Sequence, residues 1–375
     1  MSSISSTDGL GLHGSTLWAM QRALPFDYGL GEQLLLFLAI GIGLLFFCAV
    51  AFAVSVVVLR LRNQRKAGKW QALEAKWEAA IFDVIAGDAA PETLWNLVAR
   101  DEQLYCVDYI LQFARRVTGE ERRRLAVLAQ PFLPEVAARV HGRDPQRRAR
   151  AVQTLGELGL ATYANEVILA LDDPSPLVTM VAARALSREE HASHFGPVLS
   201  HLHRLTDWSP SFLAAMLSFV GPSVAPALRS ELADPRRPPK VRAVIARALL
   251  NLNDYDAANV AARVLEDETD RELVTAALRL LAAIGREEHL PLVRKAAKSD
   301  DFLVRAQAAT ALGHLGQRED MAFLRDACED DSQWVALRAA RALRDAGEVE
   351  RLTELADSDR PHAVLALQVL SERGS

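Results

Sequence analysis

From residue 147 onward the chain copies itself. Arg147, Val178, Ser209, Val241, Leu273, Val304 and Val335 occupy equivalent positions, spaced 31 or 32 residues apart. Eight residues beyond each stand Leu155, Leu186, Leu217, Leu249, Leu281, Leu312 and Leu343, a leucine every time. Four residues beyond each stand Ala151, Ala182, Leu213, Ile245, Ala277, Ala308 and Ala339. Offsets 4, 8 and 11 fall on one face of a helix, so each copy presents a buried stripe. A unit this small cannot bury such a stripe alone, whereas stacked neighbours can. At offset 12 come Gly159, Gly221, Gly285, Gly316 and Gly347, with Asn253 in a sixth copy. Gly and Asn tolerate the left-handed conformation that closes a helix, so all six are expected to be C-terminal caps.

Between each cap and the next anchor lies a second, shorter apolar helix, such as residues 167–171. Turn signals follow it at Asp172-Asp173-Pro174, Asp234-Pro235, Ser299-Asp300-Asp301 and Asp330-Asp331-Ser332. Their oxygens suit the start of the following helix. The unit is helix, turn, helix. Aromatics make up only 6% of a chain that is 50% hydrophobic, which favours helices over strands. The fold expected is all-α: an α-solenoid.

Residues 300–313, Asp-Asp-Phe-Leu-Val-Arg-Ala-Gln-Ala-Ala-Thr-Ala-Leu-Gly, resemble the D-x-x-V-R-x-x-A-x-x-A-L-G signature of HEAT repeats. The short-period variety of phycobilin-lyase-like HEAT proteins is the best match. Residues 234–249 and 173–186 are similar. The resemblance covers 144–373, including a degenerate last unit near 362–370; residues 86–143 read as a less regular helical start to the array. In the family, an Arg after the anchor Val pairs with a turn Asp along the stack. Arg148, Arg242 and Arg305 retain it, while Thr179, Pro210, Val274 and Ala336 do not, so a continuous ladder is not expected. Pro210 fits only a first helical turn.

Ahead of the repeats, residues 33–59 carry no charge. As a helix they reach roughly 40 Å, enough to cross a ~30 Å hydrocarbon core with tilt. A cleaved signal would have an apolar region of about 7–15 residues behind a basic start, whereas here only Arg22 stands among Asp8, Asp27 and Glu32. The run reads as a single uncleaved transmembrane helix. Arg60, Arg62, Arg65, Lys66 and Lys69 follow it without an acid. The positive-inside rule keeps that end cytoplasmic in a cell (inner) membrane and leaves residues 1–32 outside, with Trp18, Phe26 and Tyr28 at the interface. Residues 60–85 read as a juxtamembrane helix with an apolar stripe of Trp70, Leu73, Trp77, Ile81 and Val84. Docking on the following domain is its expected use, and Gly87-Asp88 and Pro91 punctuate its end.

Charge is unevenly shared. The chain is net −5, with −2 before the span and +5 just after it, leaving −8 for residues 70–375. Yet the twelve residues starting at each anchor hold 12 Arg, no Lys and only Glu157, Glu189 and Asp345 as acids. At offset 6 stand Arg184, Arg247, Arg279 and Arg341, with Arg150 and Arg338 at offset 3. The resemblance implies that these helices line a concave face. The arginines then form either a column for carboxylates or phosphates, or a solvated face paired with turn acids. Both readings stand.

His191, His194, His201 and His203 lie near Glu189 and Glu190, but the repeat places them across a turn and along one short helix, where they would diverge rather than converge on a metal. The HEAT-type deoxyhypusine hydroxylase builds its iron site from His-Glu dipeptides; here only the reverse order occurs, at Glu190-His191 and Glu288-His289. Cys106 and Cys328 sit in helical context and are expected to be buried. No G-x-S-x-G, H-E-x-x-H or P-loop is present. The chain thus reads as a non-enzyme without cofactor or metal, and without nucleic acid as a partner at a pI near 6. It is expected to be a membrane-anchored cytoplasmic scaffold that binds a membrane-associated protein, in a setting such as envelope assembly or polysaccharide synthesis. The alternatives are a phycobilin-lyase-like enzyme or chromophore binder, and a structural subunit of a transporter or synthase.

Overall fold

A computed structural model describes residues 30–372, which divide into two compact units between Lys76 and Trp77. The expectations for residues 1–29, including the interfacial aromatics, lie outside the described residues. So do the side chains of Glu32, Arg62, Arg65, Lys66, Lys69 and Trp70.

Helix α1 (Leu30–Ala86) is continuous. Its segment Phe37–Arg60, in the first unit, is long and apolar enough to cross a membrane, and none of that window is buried. Leu45, Phe46, Phe47 and Phe52 are exposed, as is Cys48. In the second unit the apolar stripe does find a core. Trp77, Ile81 and Val84 are buried, and Trp77 lies 6.4 Å from the Tyr109 ring. Arg124 donates to the Ile85 carbonyl at 2.8 Å, which satisfies one of the last carbonyls of α1. Gly87, at φ +89°, then turns the chain out of the helix.

The second unit continues through α2 (Glu92–Trp95), α3 (Gln103–Ala114), α4 (Gly119–Ala129) and α5 (Leu133–Ala138), broken by short 3-10 turns. The regular array follows as α6 (Pro145–Leu158), α7 (Leu160–Leu169), α8 (Pro176–Leu186), α9 (Phe195–His201), α10 (Pro210–Ser218), α11 (Ala225–Ala233) and α12 (Pro239–Asn251). It runs on through α13 (Ala258–Asp267), α14 (Arg271–Ile284), α15 (Leu290–Ala296), α16 (Phe302–Leu315), α17 (Asp320–Ala327), α18 (Gln333–Asp345), α19 (Val349–Ala356) and α20 (Ala363–Ser371). There is no strand among the described residues. The fold is an all-α solenoid, its anchors opening the even-numbered helices from α6.

The leucine column is the spine of the array: six of its members are 0% exposed and Leu343 is 2% exposed. Even-numbered helices pack on one another along the stack, approaching least closely between α8 and α10. Gly156 and Gly313 sit where helices approach closely. A Cβ on Gly313 would lie 2.5 Å from the Cβ of Ala342 on α18. Proline opens α6, α8, α10 and α12, where its missing N–H costs nothing. Asp144, Asp270 and Asp301 accept N-cap bonds from Gln146, Leu273 and Leu303.

Gly159, Gly285 and Gly316 stand at the C-caps of their helices, as expected, and only the left-handed conformation is corrected there. Gly221, Gly347 and Asn253 have positive φ, but Gly159, Gly285 and Gly316 do not. A Cβ would also run into the Leu281 carbonyl at Gly285 and the Leu312 carbonyl at Gly316, whereas at Gly159 it meets the movable end of Leu133. Sterics thus disfavour a side chain at Gly285 and Gly316, and the dihedral does so at Gly221 and Gly347.

The Arg–Asp ladder is discontinuous, as its sequence predicts. Arg148 grips Asp173 through two 2.8 Å bonds and Arg305 grips Asp330 through two of 2.9 Å, while Arg242 pairs with Glu268. Each arginine also donates to a backbone carbonyl. A second set of rungs, which sequence reasoning missed, joins the short helices: Arg229 to Asp254, Arg294 to Asp320 and Arg325 to Glu348.

Candidate binding face of the arginine-bearing helices

The six candidate arginines fall into two groups. Arg150 is tied to Asp108 of α3 by contacts of 2.9 and 3.0 Å. Arg341 forks onto Glu372 at 3.0 and 2.5 Å. These two are paired, but with carboxylates distant in sequence rather than with the turn acids that the paired reading named. Arg184, Arg247, Arg279 and Arg338 have no carboxylate partner among the described residues. They come from α8, α12, α14 and α18, so stacking alone puts them along one side of the array. Of the membrane-flanking basic residues, Arg60 is exposed.

The unpaired set is electrostatically coherent. Burial, followed by the charges of Arg247 and Arg338, pushes the Arg279 guanidinium below its usual range, and Glu272 only partly opposes this. Arg279 donates to the Gln307 side chain at 3.2 Å, a neutral partner. The Nε of Arg247 is buried without any acceptor. Guanidinium groups crowded together with unmet donors favour an anion that brings its own acceptors.

Where α8 and α10 approach less closely than the other even-numbered neighbours, the same side of the array opens into a groove of about 570 Å³. Its walls include Val181 and Arg184 of α8, Ser187 just beyond it, and Phe212 and Met216 of α10 with Phe219 at its end. Its acid, Glu157, is already held between Arg122 and Arg188, at 2.5 and 2.6 Å. Sequence analysis missed this groove, although a signal existed. The anchor helix that follows Ser209 contains no arginine, and Phe212 and Phe219 stand at the repeat positions that Arg338 and Arg188 occupy in other units.

The histidines do not converge. His201 faces Asp172, at 3.2 Å, and His203 points to the Ser200 carbonyl. Burial holds His191 below the usual imidazole range, partly offset by Glu190. No group of three His, Cys, Asp or Glu side chains is placed to hold a metal among the described residues. Cys106 and Cys328 are buried, and burial pushes each thiol up to about 12.

The family model for HEAT repeats matches residues 225–302, 268–344 and 295–371, in the later part of the array. Among solved structures, the complex of CpcE and CpcF of phycocyanin lyase from Nostoc sp. PCC7120 is similar at 20% identity, covering 64% of this chain and 86% of that one with a TM-score of 0.32. Kap121p is similar at 12% identity and a TM-score of 0.40; the match covers 74% of this chain but only 38% of Kap121p. A computationally designed armadillo repeat protein for modular peptide recognition is similar at 17% identity, covering 63% of this chain and 99% of that one, with a TM-score of 0.25. A search of curated proteins found no match.

Proposed function

We propose that the chain is a membrane-anchored adaptor that holds a protein partner on the arginine-bearing face of its repeat array and performs no chemistry of its own. The observation that carries this reading is the set of Arg184, Arg247, Arg279 and Arg338 on stacked helices, none of them ion-paired to a carboxylate among the described residues, with Glu272 only partly offsetting the charge around Arg279. An unbalanced row of this kind costs stability through self-repulsion, a cost that an acidic partner surface recovers. The uncovered apolar segment Phe37–Arg60 supports anchoring, because a helix with no buried side chain has no reason in water to be apolar all round. The basic residues 60–69 support a cytoplasmic array. A tether of this kind raises the effective concentration of the array beside membrane complexes, so modest intrinsic affinity suffices.

The experiment is quantitative co-purification from detergent-solubilised native membranes, comparing wild type with Arg247→Glu/Arg279→Glu. The partner recovered with wild type is lost from the variant while circular dichroism is unchanged. Equal recovery from both would end the reading.

A further inference from the structure

Resting on the adaptor reading, we infer that the groove between α8 and α10 takes a short acidic–apolar segment of the partner, its carboxylate on Arg184 and a neighbouring bulky apolar side chain against Phe212 and Phe219. Three independent features of the groove point to this chemistry.

The first is charge. Arg184 is exposed and has no carboxylate among the described residues, while Glu157, the acid of the groove, is spent on Arg122 and Arg188. The groove therefore presents a guanidinium that is not ion-paired among the described residues, and a carboxylate meets such a fork with two parallel bonds.

The second is an orphan hydroxyl. Ser187 is 2% exposed and lines the groove, yet its Oγ has no hydrogen-bond partner. A buried polar atom left in this way is costly. A peptide carbonyl or amide that enters the groove and displaces the side chains covering this atom satisfies it.

The third is apolar surface without a cover. Phe219 is 69% exposed and Phe212 is 41% exposed, beside Val181 and Met216. Both rings occur in the one unit whose anchor helix lacks arginine, at the one place where the stack opens. A volume of about 570 Å³ has room for a few side chains and not for a folded domain.

The test is a random heptapeptide library displayed on phage and selected on the full-length protein in lipid nanodiscs, followed by anisotropy with the enriched peptides. Peptides carrying Asp or Glu within two positions of Phe, Leu or Trp are enriched. They bind about tenfold or more weakly to Arg184→Gln and to Phe219→Ser. Both wild-type side chains are exposed and Arg184 has no partner to lose, so both variants keep the wild-type melting temperature. Ser187→Ala weakens binding without lowering that temperature. No enrichment, enriched peptides without an acid, or wild-type affinity retained by the Arg184 or the Phe219 variant overturns the inference. Peptides that lose binding on Arg247→Gln/Arg279→Gln but not on Arg184→Gln also overturn it, while leaving the wider arginine face in place. Conversely, Arg184-dependent peptides together with membrane co-purification that ignores Arg247 and Arg279 would support the groove and remove the wider face.

Discussion

Replacing Arg305 by methionine tests whether the rungs hold neighbouring repeats together. Arg305 donates to Asp330 through Nε and Nη2, both at 2.9 Å, and its Nη1 donates to the carbonyls of Ser299 and Asp300. Both side chains are mostly covered, at 22% and 16% exposure, so solvent screens the pair only partly. Methionine keeps the stem and removes every donor. Asp330 is then left with the Ser332 N–H, and two carbonyls lose their partner. Removing one member of a covered, bidentate pair costs about 2–4 kcal/mol, more than a surface bridge and at the edge of the fully buried case. The stack is quasi-one-dimensional, so the loss is local. Hydrogen exchange followed by mass spectrometry should accelerate across residues 299–345 and change little across 145–186. A cycle with Asp330→Asn should return a coupling of about 1.5–3 kcal/mol. The bond from Arg305, then the Ser332 N–H, holds the Asp330 carboxyl below its ordinary range against the opposing effect of burial. A depressed folded value gives stability that is complete above the ordinary carboxylate value, about 3.9, and is lost as pH falls through the lower folded one. Arg305→Met should lose that part of the acid dependence. A coupling below about 0.5 kcal/mol, or an unchanged acid slope, would refute the reasoning.

Further outcomes follow from the packing. Gly313→Val should destabilise the array by about 1–3 kcal/mol in urea titration, because its Cβ meets the Ala342 backbone and side chain and neither can move aside. Cys106 and Cys328, with thiols raised to about 12 by burial, should resist iodoacetamide at pH 8 in the native protein and react in urea.

The stack was legible because its period, its leucines and its prolines are local facts, and each repeat solves the same burial problem. Pro210 in a first turn and the three surviving rungs at Arg148, Arg242 and Arg305 follow from the same register. What was illegible depends on distance along the chain. Arg150 is neutralised by Asp108 from α3, and Arg341 by Glu372 at the far end, so spacing alone could not separate them from Arg184, Arg247, Arg279 and Arg338. Gly285 and Gly316 looked like left-handed caps, but their requirement comes from side chains and carbonyls packed above them. The opening between α8 and α10 lies where residues 187–209 are rebuilt from short 3-10 turns around α9, and no periodicity describes that stretch. The Arg229, Arg294 and Arg325 rungs carried a signal in their repeat spacing; it was hidden because Arg263, at the intervening position, has no matching carboxylate partner among the described residues.

The most direct measurement is proximity labelling of the partner in living cells by three versions of the chain: intact, lacking residues 1–60, and with residues 1–60 replaced by an unrelated single membrane helix. An adaptor that works by grip and tether labels its partner when intact, loses most of that labelling when the segment is removed, and regains it with the foreign helix. Labelling that stays lost with the foreign helix would contradict this account and make the span itself part of the complex.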